Sequence, residues 1–151
     1  MKNIDDARTL AKEMVEIGTN LKRNTIAVIT NMNEPLGYAV GNSLEIKEAI
    51  ESLKGNGPDD LMELCYTTGS LMLVQSKVAK TPEEGRKMLQ KVIKDGSAYK
   101  KLQEMVKAQG GDVSYILDSS KFEESANIIS VYAKKAGYVK NLKALDIGLS
   151  S

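Results

Sequence analysis

Apolar positions recur with helical period at the start of this chain. Ala7, Leu10, Ala11, Met14, Ile17 and Leu21 fall on one stripe, and the spacing predicts an amphipathic helix over residues 4–21. Asn3 stands where an N-cap belongs, and Asp5 and Asp6 fill the first turn, where the helix dipole favours acids. The pattern then changes. Thr25 to Ile29 is a continuous β-branched and apolar run, as in a strand covered on both faces, and it predicts a strand over 25–31. Asn31 to Gly41 contains Pro35, Gly37 and Gly41 and reads as a loop. Periodicity then returns, with Asn42 expected as N-cap and Glu45 completing a box-like pattern. Ile46, Ala49, Ile50 and Leu53 share one helical face, and Gly55 and Pro58 stop the helix. A helix, strand, loop and helix in this order form the later part of a βαβ crossover, a unit that places ligands at the carboxyl ends of strands. The crossover's first strand is missing from the sequence, so the expected strand lacks one partner.

Further along, apolar residues cover most sides of Leu61 to Val78, the pattern of a helix held in an interior. Thr81, Pro82 and Glu84 give a start signal of cap, proline and acid, and Met88, Leu89, Val92 and Ile93 then face inward. Ser97 is expected to cap another helix, with Leu102, Met105 and Val106 apolar and Gly110 and Gly111 ending it. Asn127 to Ala133 and Tyr138 to Leu145 favour strands, separated by Lys134, Lys135 and Gly137. The change of character places a domain edge between Gly111 and Phe122, dividing the chain into 1–115 and 116–151. The fold class expected is α/β, a helix-rich part of a mainly parallel-sheet domain, followed by the start of an α+β domain.

Composition narrows the chemistry more than the fold. The chain has 151 residues, 42% hydrophobic, and a net charge of +1, which fits a globular segment and indicates neither disorder nor a strongly charged partner. No apolar run follows Met1 as in a signal peptide, and Glu63, Gln75 and Lys77 interrupt the most apolar stretch, so no membrane span is expected. The single cysteine, Cys65, excludes an intrachain disulfide framework and suits a reducing, cytoplasmic compartment; its neighbours mark it as a small core residue. The absence of histidine excludes a Ser-His-Asp triad, a Cys-His pair and a His-containing zinc site within the chain. Neither GxxxxGK[ST] nor a GxGxxG after a strand occurs. Seven basic residues lie between Arg86 and Lys107 against Asp95 and Glu104, but Tyr99 is the only aromatic among them. A solvated helix face explains them better than nucleic-acid binding.

The stretch TNMNEPLGYAVGNSLEIKEAI, together with LKGNGPDDLMELC, MVKAQGGD and AGYVKNLKALDIG, resembles the pyrimidine-nucleoside phosphorylase and thymidine phosphorylase family. Four ordered blocks with consistent spacing cover nearly the whole chain. The resemblance implies a fold of the nucleoside phosphorylase/phosphoribosyltransferase type. It also implies that the family's phosphate-binding loop and its pyrimidine-gripping arginine, serine and lysine lie upstream of these residues, and that Met1 matches an internal methionine. The sequence is thus expected to be an internal piece of a cytoplasmic, homodimeric enzyme. That enzyme would use inorganic phosphate to cleave uridine, thymidine or deoxyuridine into the base and a (deoxy)ribose 1-phosphate.

In the family a potassium-like cation is held by two loop carbonyls and a glutamate, and the resemblance carries these roles to Leu36, Ala39 and Glu48; the remaining ligands lie upstream in the family, so the isolated chain is expected to bind such an ion weakly. Hard cations take oxygen ligands, and a bend rich in Pro and Gly can turn carbonyls inward. Read by periodicity alone, Glu48 lies opposite the Ile46, Ala49, Ile50 and Leu53 face and is a solvated surface acid. Asn31, Asn33 and Glu34, at the end of the expected strand, read as turn formers before substrate contacts. Gly110 and Gly111 read as a helix C-cap before a phosphate nest. No catalytic or substrate-binding residue is assigned within the chain, and alone it is expected to be inactive. The alternatives are an interaction or structural module, which the lack of a self-contained site favours, and a piece of an anthranilate phosphoribosyltransferase-like enzyme, which fits the EPLGYAVGNSLEIKEA block less well.

Overall fold

The computed structural model describes residues 3–150, and among them every regular element is helical. The order is α1 (Ile4–Asn20), α2 (Asn42–Leu53), α3 (Asp59–Gln75), α4 (Pro82–Lys94), α5 (Ser97–Ala108), the short α6 (Ser114–Leu117), a 3-10 turn (Ser119–Lys121) and α7 (Ala144–Ser150). The first five agree with the periodicity to within a few residues. Asn3 caps α1 through Asn3 Oδ1, which accepts the Asp6 N–H at 2.8 Å. Thr81 caps α4 by accepting the Glu84 N–H at 3.2 Å, while Glu84 reaches back to the Lys80 N–H at 2.8 Å. Gly110, at φ +78°, ends α5 in the left-handed region, and the Gly111 N–H donates back to the Val106 carbonyl at 2.9 Å. Two caps move by one residue. Gly41 rather than Asn42 is the N-cap of α2, and Gly96 rather than Ser97 that of α5.

Helices α2 to α5 form the packed body, where Ile50 is fully buried. The closest approach is between α3 and α4. A Cβ on Gly85 would lie 3.0 Å from the Ser70 carbonyl oxygen, so glycine lets the two backbones approach without a shift of either helix. Arg86 forks onto Glu63 across the same crossing, its guanidinium 5.0 Å from the centre of the Tyr66 ring. An apolar cavity of about 360 Å³ lies among α2, α3, α4 and α5. Cys65 lines it and is exposed, which corrects its expected place in a closed core. The reason is that α4 covers α3 on one side while other sides stay open, as Met72 shows at 67% exposure.

The expected strands do not form among the described residues. Residues 23–32 are irregular, and Ile26, Val28 and Ile29 are 46%, 43% and 44% exposed rather than covered on both faces. A strand is defined by a ladder to a second extended segment, and none lies beside this one. The run lies instead against α1, where Gly18 leaves room for Thr25, and the Asn24 carbonyl accepts from Gln75 Nε2 at 3.0 Å. Residues 127–133 are likewise irregular, with Ile129 and Val131 at 83% and 93% exposure. The second expected strand, 138–145, is irregular until Ala144, where α7 begins and takes in Leu145. The sheet part of the expected fold class therefore has no counterpart among the described residues, while the helical part does.

Candidate functional site

The bend between the irregular run and α2 gathers more side-chain-to-backbone bonds than any other loop described. Its local chemistry begins with Pro35 and two glycines in the left-handed region, Gly37 at φ +71° and Gly41 at φ +118°. These positions turn the chain sharply and leave backbone amides without helical partners. Carboxylates supply the partners. Glu48, in the second turn of α2, accepts the N–H groups of Tyr38 at 2.9 Å and Ala39 at 3.1 Å on the same oxygen, Oε1. Asp60, in the first turn of α3, accepts the Gly37 N–H on Oδ2 at 3.0 Å and the Leu61 N–H on Oδ1 at 2.8 Å. Glu45 Oε1 accepts the Gly41 N–H at 3.0 Å. Three acids from two helices thus hold four amides of one bend.

Glu48 is therefore not the solvated surface acid that periodicity gives. It is half-buried, whereas Ile46 and Ala49 on the expected inward face are exposed. The other carboxylate oxygen, Oε2, lies 2.3 Å from where a Cβ on Gly37 would stand, so the whole carboxylate is seated on the bend. Of the three residues carried over from the resemblance, Ala39 and Glu48 are joined directly by the Ala39 N–H, while Leu36 stands on the same bend one residue before Gly37, whose N–H is held by Asp60. Their chemistry fits a hard cation in one respect: an oxygen-bearing side chain faces a bend that also carries the Leu36 and Ala39 carbonyls. Among the described residues no group of three or more His, Cys, Asp or Glu side chains could hold a metal, so any ion here would draw on backbone oxygens.

Asn31 Oδ1 accepts the Asn33 N–H at 3.0 Å, the local bond of a turn former. The Asn33 carbonyl accepts the Ala144 N–H at 2.9 Å, which brings the start of α7 to the entrance of the bend. Asp60 escaped the sequence reading. Its visible signal was that of a first-turn acid on α3, and nothing in the spacing connects it to Gly37, 23 residues earlier. Among the described residues no helix is long and apolar enough to cross a membrane.

Comparison with known proteins adds a second, independent line. Residues 1–99 match the glycosyl transferase family, a/b domain. Over all 151 residues the chain is 50% identical to a protein of Bacillus subtilis named pyrimidine-nucleoside phosphorylase. It is 47% identical to proteins of the same name from Geobacillus stearothermophilus and Staphylococcus aureus. The whole chain is matched in each case, and it spans 35% of the length of each of these relatives.

Proposed function

This chain belongs to the glycosyl transferase family, a/b domain, and from that premise we propose that it is part of a pyrimidine-nucleoside phosphorylase. The observation that carries the reading is identity of 47–50% over every residue of the chain to relatives bearing that name. The complete enzyme is a pentosyltransferase acting on uridine, thymidine or deoxyuridine with inorganic phosphate as co-substrate. A phosphate oxygen bonds to C1′ as the bond from C1′ to the base nitrogen breaks, and the bonding pair leaves with the pyrimidine. Positive charge builds on the sugar and negative charge on the departing base. Catalysis rests on positioning and on cationic groups near the base, with no covalent enzyme intermediate. The names of the relatives favour this reading over an interaction module or an anthranilate phosphoribosyltransferase.

Within that enzyme the role of residues 1–151 is scaffold. The helical body of α2 to α5 presents the 35–41 bend, and Leu36, Ala39 and Glu48 would supply part of the ligand set of a monovalent cation, potassium as the family resemblance implies. When bound, such an ion supplies fixed positive charge and draws carbonyls and carboxylate together. What this chain's own atoms do is better defined: Glu48 and Asp60 hold the bend's amides, and α2 and α3 fix those acids in space. We place the domain edge near 115, and the complete enzyme in the cytoplasm as a homodimer without nucleic-acid or membrane partners. The test is phosphorolysis. A full-length protein containing this chain, given uridine and phosphate, is expected to release uracil and ribose 1-phosphate in equal amounts, and the 151-residue chain alone to release none. Uracil formed without phosphate consumption overturns the proposal.

A further inference from the structure

The geometry points to Asp60 as a positioning residue that sets the direction of the Leu36 carbonyl, an inference about aim that rests on the cation reading above only for its purpose. In a trans peptide the C=O and N–H point in opposite directions across one rigid plane. All peptides among the described residues are trans. The N–H of Gly37 and the carbonyl of Leu36 belong to the same plane, and Asp60 Oδ2 holds that N–H at 3.0 Å. The Leu36 oxygen is therefore directed away from Asp60 for as long as the bond is made. The next two planes are held in the same way by Glu48, through the N–H groups of Tyr38 and Ala39. Asp60 and Glu48 thus divide three consecutive peptides between them.

The plane that Asp60 holds is the one with freedom to turn. Gly37 sits at φ +71°, and glycine populates both signs of φ with little penalty. Rotation of the plane before such a glycine is the change that interconverts type II and type I turns, and it reverses the carbonyl. Gly37 is needed here for a second reason, since a Cβ would strike Glu48 Oε2. The bend therefore requires the residue that makes its own carbonyl direction least certain, and Asp60 removes that uncertainty. The acid is itself fixed, because its other oxygen accepts the Leu61 N–H at the start of α3. Substrate is not involved; Asp60 acts through Leu36.

The test uses the 151-residue chain labelled with 15N and 13C. Amide exchange at Gly37, Tyr38 and Ala39 and the 13C′ shift of Leu36 are compared among wild type, Asp60→Asn and Asp60→Ala. Asp60→Ala is expected to raise Gly37 exchange about tenfold and to move the Leu36 13C′ signal, as expected when a local opening loses its bond. Asp60→Asn keeps an acceptor for α3 and should give a smaller rise, with the Met62–Ser70 amides as protected as in wild type. Gly37 exchange within twofold of wild type in both variants overturns the proposal. So does loss of protection along all of α3 in both, since Asp60 would then be holding the helix and not the bend. A KCl titration carried to molar concentration, high enough to reach the weak binding expected of the isolated chain, with choline chloride as control, separates the two readings. A Leu36 13C′ signal that responds to potassium in wild type and not in Asp60→Ala is the expected result, and an equal response in both overturns the positioning role. No response in either counts against the cation reading, and the exchange rates then decide Asp60 alone.

Discussion

Two parts of this molecule contain β-branched and apolar residues in similar density and end in opposite states. Helices α2 to α5 bury Ile50 completely, whereas Ile129 and Val131 in the trailing stretch are 83% and 93% exposed. The difference lies in where backbone bonds close. A helix closes its interior N–H and C=O groups on itself, so each of α2 to α5 needs from its neighbours only cover for one face. An extended run satisfies nothing until another strand arrives, and its side chains have no pleated surface to share. Periodicity of 3.6 is therefore a local instruction, while a β-branched run is an instruction addressed to a partner.

The largest test of that contrast is amide exchange. The amides of α3 and α4 should exchange about a thousandfold more slowly than those of 127–133, which have no regular bonds to open. Equal protection would break the comparison. Ile50→Ala comes next, with an expected loss of about 3 kcal/mol in urea denaturation, since a fully buried side chain leaves a cavity. Val131→Ala should stay within about 0.5 kcal/mol. Gly85→Ala should cost about 1–2 kcal/mol in the same assay, because overpacking at the Ser70 backbone exceeds the roughly 1 kcal/mol gained in helix propensity. Thr81→Ala, which removes the α4 cap, should cost about 1 kcal/mol.

The smallest effect is one of pH. The Arg86 hydrogen bond, chiefly, holds the Glu63 carboxyl below the usual glutamate value of 4.5. Its folded pKa is depressed, so the stabilisation is fully present above the unfolded pKa and lost as pH falls through the folded one. The pair is exposed and small in effect. A denaturation series from pH 6 to pH 3 on wild type and Glu63→Gln should show the two curves converging at the acid end.

How far the sequence could be read follows the same division. The stripe Ala7, Leu10, Ala11, Met14, Ile17 located α1, and Thr81 with Pro82 located the start of α4, because the signals and the bonds they report are within one or two turns. Thr25–Ile29 and 127–145 were legible as apolar and β-branched, but their conformation depends on residues that do not lie beside them. Leu145, placed in a strand by its neighbours, is in α7. At the candidate site the resemblance brought Glu48 to the bend against the helical pattern, and the hydrogen bonds to Tyr38 and Ala39 give that orientation a physical basis. Asp60 was invisible because its contact with Gly37 spans 23 residues and leaves no mark on local spacing.

Gly18 carries a consequence for anyone wishing to engineer α1. Thr25 Oγ1 lies 1.9 Å from the point where a Cβ at position 18 would stand. Replacing this glycine is the usual remedy for a weak helix, worth about 1 kcal/mol in propensity. Here the remedy would evict the threonine and lift the following run from its bed. A sturdier helix and a seated neighbour are competing aims at that one carbon.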